Sequence, residues 1–68
     1  MKTISGKHLC RLLEKKGWHK RAITGSHYIY MKQGRKERIS IPVHGNKDLK
    51  KGLLRAVMSI AQIDEYEL

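Results

Sequence analysis

Four consecutive residues, Gly25-Ser26-His27-Tyr28, carry the clearest capacity for chemistry in this 68-residue chain. The glycine brings the backbone round and the histidine opens the next segment. Imidazole is the side chain whose unperturbed pKa lies nearest neutrality, so it can both take and give a proton. Around it stand fifteen Lys and Arg against six Asp and Glu, a net charge of +9. A proton-transfer group on a surface that gathers phosphates points to RNA cleavage.

The charge is uneven. Asp64, Glu65 and Glu67 crowd the C-terminus, which leaves fifteen basic against three acidic residues in positions 1–63. Such a field attracts nucleic acid through phosphate contacts and counterion release, and it attracts acidic proteins or anionic membranes by the same physics. Arginine suits phosphate because its planar fork donates paired hydrogen bonds. His44 follows a strand in a loop and is a candidate second proton carrier, although loop histidines are usually just solvated. His8 and His19 receive no role.

Other chemistries find little support. The four histidines and the single Cys10 show no zinc spacing, no acidic cluster suits magnesium, and no Walker-type glycine loop is present, so neither metal nor organic cofactor is expected. Cys10 has no intramolecular disulfide partner and reads as a small packing group. No secretory signal and no apolar run of about 20 residues is visible, so a cytoplasmic protein is expected.

These residues need a frame to hold them. Ser5 caps a helix over residues 6–16, with Leu9, Leu12 and Leu13 as its apolar stripe, and Gly17 ends it. A strand runs from Trp18 to Ile23, and Thr24-Gly25-Ser26 turns the chain. A second strand covers His27–Met31, Lys32–Arg35 form a hairpin connection, and a third strand covers Glu37–Val43. There Ile39, Ile41 and Val43 alternate with Arg38, Ser40 and Pro42, the pattern of a half-buried strand, and Pro42 marks an edge or an end. A second helix covers residues 48–62, with Leu53, Leu54, Val57, Met58 and Ala61 inward. Gly52 weakens its start unless another element packs close there.

The order α-β-β-β-α predicts one α+β domain over residues 1–68, with an acidic tail after Ile63 prone to fraying. Its compact form is a three-stranded antiparallel sheet with both helices on one face and the other face bare. A chain this short buries only about 60% of its unfolded surface, so chemistry belongs on an open face. Alternation puts Tyr28 and Tyr30 on one face and His27, Ile29 and Met31 on the other; the tyrosine pair is the better partner for the leucine-rich helices, which leaves His27 on the bare face or at its rim, with Ile29 and Met31 as the alternative core set. Arg38 and Ser40 are expected beside them, with Lys20 or Arg21 arriving from the first strand, so that a phosphate sits between guanidinium groups within reach of the imidazole.

The ordered segments Leu13-Glu14-Lys15-Lys16-Gly17-Trp18, Gly25-Ser26-His27-Tyr28, Ile41-Pro42-Val43-His44 and Lys47-Asp48-Leu49-Lys50-Lys51-Gly52-Leu53-Leu54-Arg55 resemble the HicA toxins of bacterial HicA–HicB toxin–antitoxin systems. The resemblance covers Leu12 to about Ala61. It implies a fold like the double-stranded-RNA-binding domain and an mRNA-cleaving activity, with the family's catalytic histidine falling on His27. It also implies a HicB-type antitoxin that covers the His27 face, and a toxin that is monomeric on its own and reaches higher assemblies through the antitoxin. Two positions depart from the family pattern. Leu53 stands where many relatives carry threonine, and Ala22 where an arginine is common, with Arg21 one place earlier. The RNA-binding set expected from charge and resemblance is Gly25, Ser26, Lys20, Arg21, Arg38, Lys47, Lys50 and Lys51, the last three gripping phosphates as in double-stranded-RNA-binding domains. A catalytically inert RNA-binding module of the same fold is the alternative, and a domain whose basic face meets an acidic protein is a third reading.

Overall fold

A computed structural model describes residues 2–68. Ser5 begins the first helix, α1 (Gly6–Lys15), by accepting a hydrogen bond from the His8 N–H at 3.2 Å. Gly17 takes φ +93°, and the Trp18 N–H then returns to the Leu13 carbonyl at 3.0 Å, closing the helix end. Three strands follow, β1 (His19–Thr24), β2 (His27–Met31) and β3 (Arg38–Pro42), paired antiparallel in the order β1-β2-β3. The last long element is α2 (Lys51–Ala61). No helix among the described residues is long and apolar enough to cross a membrane.

The α+β fold with the α-β-β-β-α order and an open three-stranded sheet is therefore as expected. Its core draws Leu9 and Leu13 from α1, Leu54, Val57, Met58 and Ala61 from α2, and Tyr30, Ile39 and Ile41 from the sheet. Trp18 and Tyr30 are each only 1% exposed, so they are the largest apolar anchors. The Tyr30 hydroxyl keeps its polar end satisfied by donating to Glu14 Oε2 at 2.6 Å. Cys10 is buried in this core, and burial pushes its thiol pKa up. Arg35 ties the β2–β3 connection down: it stacks over Trp18, pairs with Glu37 at 3.0 Å and donates to the Ile60 carbonyl at 3.0 Å near the end of α2.

Several boundaries move from the sequence reading. Trp18 precedes β1 as a core residue, and Val43 follows β3, whose last residue is Pro42. The larger correction is at α2, which begins at Lys51 rather than Asp48. Residues 48–49 are instead drawn against the N-terminal segment: Ser5 and Asp48 form a β-bridge, and the Leu49 N–H donates to the Ile4 carbonyl at 2.8 Å. Leu49 is buried there, which a helix starting at Asp48 would not achieve with the same pairing. Leu53 is only partly buried, unlike the inward set it was grouped with. The acidic tail forms a short 3-10 helix (Glu65–Glu67), held by a capping box at Asp64 and by Lys16 Nζ at 2.8 Å from Glu67.

Candidate nucleic-acid interface and active site

Residues directly opposite in an antiparallel pair share a face of the sheet. Tyr28 faces Ile41 and Tyr30 faces Ile39, which puts both tyrosines on the helix side. The other set is His27 opposite Pro42, Ile29 opposite Ser40 and Met31 opposite Arg38, and it lies on the open face. His27 is exposed there. The turn before it is compact: Gly25 takes φ +60°, a conformation that favours glycine. The Ser26 carbonyl accepts from the Val43 N–H at 2.8 Å, so the pairing of β2 with β3 continues one residue past each strand and fixes the start of β2.

On the other side of β2 the register slips. Lys20 pairs with Tyr30 but Ala22 pairs with Ile29, which makes Arg21 the extra residue of a β-bulge. Lys20 accordingly stands with the tyrosines on the helix side, and its ammonium lies 5.2 Å from the centre of the Tyr28 ring. Arg21 lines a depression with His19, Met31, Lys32 and Gln33. His19 pairs with Met31, so this depression sits on the open face at the far end of β2 from His27. Of the two cations expected from the first strand, the bulge brings Arg21 to the open face and turns Lys20 away.

Arg38, opposite Met31, belongs to that same end. Met31 lies four steps along β2 from His27, a distance of about 13 Å at ~3.3 Å per residue. Arg38 and His27 therefore stand at opposite ends of the open face. The cations at the His27 end come from the loop before α2. Lys47 and Lys50 line a groove with Pro42, His44, Asp48, Leu49 and Leu53, and Pro42 is the register partner of His27. Lys51, by contrast, is the exposed first residue of α2.

Among the described residues only Lys16 and Arg35 are ion-paired with carboxylates. The open-face and loop cations therefore make no ion pair, which favours drawing in a polyanion, although the Asp48 carboxylate shares the groove with Lys47 and Lys50. Sequence reasoning missed His19 and Lys32 at one end and Pro42 and Leu53 at the other. Their grouping depends on the bulge and on the pairing of residues 48–49, neither of which leaves a local signal.

The arrangement sets the exposed His27 imidazole between a hollow on the open sheet face, lined in part by His19 and Arg21, and a groove formed by the end of β3 and the start of α2, lined in part by His44, Lys47 and Lys50. A comparison with curated proteins finds no match. The family model described as the HicA toxin of bacterial toxin-antitoxin matches residues 6–63, which spans every element of the fold from α1 to the end of α2.

Proposed function

The chain belongs to the HicA toxin family of bacterial toxin–antitoxin systems, and on that premise we propose that it is an endoribonuclease that cleaves mRNA with His27 as the proton-transfer group. The observation that carries this reading is the exposed imidazole at the start of β2, on the open face and beside the lysine-lined groove. RNA brings its own nucleophile. The 2′-oxygen attacks the adjacent phosphorus, the bond from phosphorus to the 5′-oxygen breaks, and one proton leaves the first oxygen while another reaches the second. His27 performs one of these transfers. Lys47 and Lys50 offset the negative charge that builds on the phosphoryl oxygens, and Arg21 and Arg38 hold the strand further along the sheet.

A single positioned acid–base group contributes about 10²–10⁴-fold, so the enzyme is slow, and slow cleavage of messages suffices to arrest growth. Because proton transfer and fixed cations carry the reaction, cleavage proceeds in the presence of a chelator. The natural inhibitor is a HicB-type antitoxin whose acidic, partly apolar surface covers His27, Ile29, Met31 and the cations around them.

The test is controlled expression in bacteria of the wild-type chain and its His27→Ala variant, with growth and bulk mRNA followed together. Arrest with message loss only in the wild type, and retained RNA affinity in the purified variant, is the expected result. Equal behaviour of the two proteins would leave an inert RNA-binding module.

A further inference from the structure

The groove beside His27 differs in kind from the hollow at the other end of the sheet. The far hollow, about 510 Å³, is walled by Met31 together with His19, Arg21, Lys32 and Gln33; the Lys32 ammonium donates to the Lys16 carbonyl at 2.9 Å, which leaves Arg21 as the side chain there best suited to a phosphate. The near groove, about 270 Å³, has Pro42, Leu49 and Leu53 as an apolar lining and carries its charge on Lys47 and Lys50. Pockets that hold drug-sized molecules run to ~300–1,000 Å³, so this one has room for a single flat ring system. Asp48 also lines it, with Oδ2 accepting from the Thr3 hydroxyl at 3.2 Å. A carboxylate there repels phosphate and accepts from the N–H groups on a base edge.

The walls are tied down by the backbone. Leu49 is held to Ile4 and buried, and Val43 is held to Ser26, the residue before His27, at 2.8 Å. The groove thus has a fixed position relative to the imidazole, through Pro42 on one side and the Ser26–Val43 bond on the other.

We propose that this groove takes one unstacked base of a single-stranded RNA, the base nearest the phosphate that is cut. The inference rests on the ribonuclease reading and adds to it the strandedness of the substrate and the place where a base is read. The base lies against Pro42 and Leu53 with His44 at its rim, and Lys47 and Lys50 take the phosphates on either side of it. A base held in a duplex cannot enter without breaking its pair and its stacking, whereas the unstacked bases of single strands and loops are free to do so.

The experiment uses the wild-type chain with a short 2′-O-methyl RNA, which has no free 2′-hydroxyl to attack. Binding is measured at low salt to the single strand, to the same strand in a duplex, and to a series with one abasic position moved along it. The single strand is expected to bind about tenfold more tightly than the duplex, and one abasic position to lose about tenfold while its neighbours lose little. Leu53→Trp, which fills the groove from its partly exposed wall, should flatten that abasic profile and lower the affinity for the single strand toward that for the duplex. A flat profile in the wild type, with duplex bound as well as single strand, overturns the base site and leaves the ribonuclease reading standing. Binding of neither form at low salt overturns both. The abasic series reads the site from the RNA side, so it decides the matter even if Leu53→Trp does not fold.

Discussion

His27 and Pro42 stand opposite one another across β2 and β3, and the carbonyl of Pro42 lies where a side chain on Gly6 would have to go. The first turn of α1 therefore packs directly against the strand end that faces the imidazole. Helix, strand and candidate catalytic group form one contact chain, in which the smallest residue is the hinge of the packing.

Gly6→Ala should consequently destabilise the protein, against the usual rule. In an open helix the change gains up to ~1 kcal/mol. Here the added methyl meets the Pro42 carbonyl oxygen and the α-carbon of Val43, and overpacking of this kind costs about 1–3 kcal/mol. Urea unfolding checks the sign. Cleavage should also fall at temperatures where the variant is fully folded, because the strand end that moves is the one beside His27.

Gly52→Ala should do the opposite. Gly52 is the second residue of α2, and a methyl there meets nothing within 4 Å. The open space answers the question raised by a glycine at a helix start: no neighbouring element requires it. The substitution should stabilise by about 0.5–1 kcal/mol and raise Tm by roughly 2–8 °C. Calorimetry on wild type and variant tests this, and an unchanged or lower Tm would refute it.

The Tyr30–Glu14 hydrogen bond predicts an alkaline limit to stability. Burial, followed by the bond to Glu14, pushes the Tyr30 phenol pKa well above its usual range. The unfolded phenol ionises near pH ~10. Above that pH the unfolded chain releases its proton while the folded chain keeps it, so stability falls as pH rises; below it the full contribution is present. Tyr30→Phe should cost about 1–2 kcal/mol at neutral pH, since the exposed Glu14 can turn to water, and should flatten the decline above pH ~10. Lys16, raised by its bond to Glu67, and Cys10, raised by burial, add their own alkaline dependence, so the difference between wild type and variant is the quantity to measure.

The parts of the fold that were legible are those written in neighbouring residues. Ser5 and Gly17 bracket α1, the alternation of Ile39 and Ile41 with Arg38 and Ser40 gives β3 its two faces, and the Tyr28–Tyr30 pair puts His27 on the open side. What was not legible depends on partners distant in the chain. Asp48 and Leu49 have a helical pattern locally, but pairing with Ser5 and Ile4 outweighs that weak preference and shapes the groove. The acidic tail looks free until Lys16 meets Glu67. The bulge at Arg21 arises only when β1 is laid against β2, and it decides which of two adjacent cations reaches the open face.

That last distinction gives the sharpest test of the interface. Arg21 and Lys20 are adjacent, alike in charge and both exposed, so composition predicts equal effects when either is removed. The register predicts unequal ones. Each phosphate contact with a single strand contributes about 0.7 to the slope of log affinity against log salt concentration. Arg21→Ala should lower that slope by about 0.7 and weaken RNA binding most at low salt. Lys20→Ala should leave the slope close to wild type and instead cost about 0.5–1 kcal/mol of stability, through the lost contact with Tyr28. Titrations of the two variants at several salt concentrations, paired with thermal melts, separate the outcomes. Equal slopes for both would mean that the register of β1 does not decide which of the two cations meets the RNA.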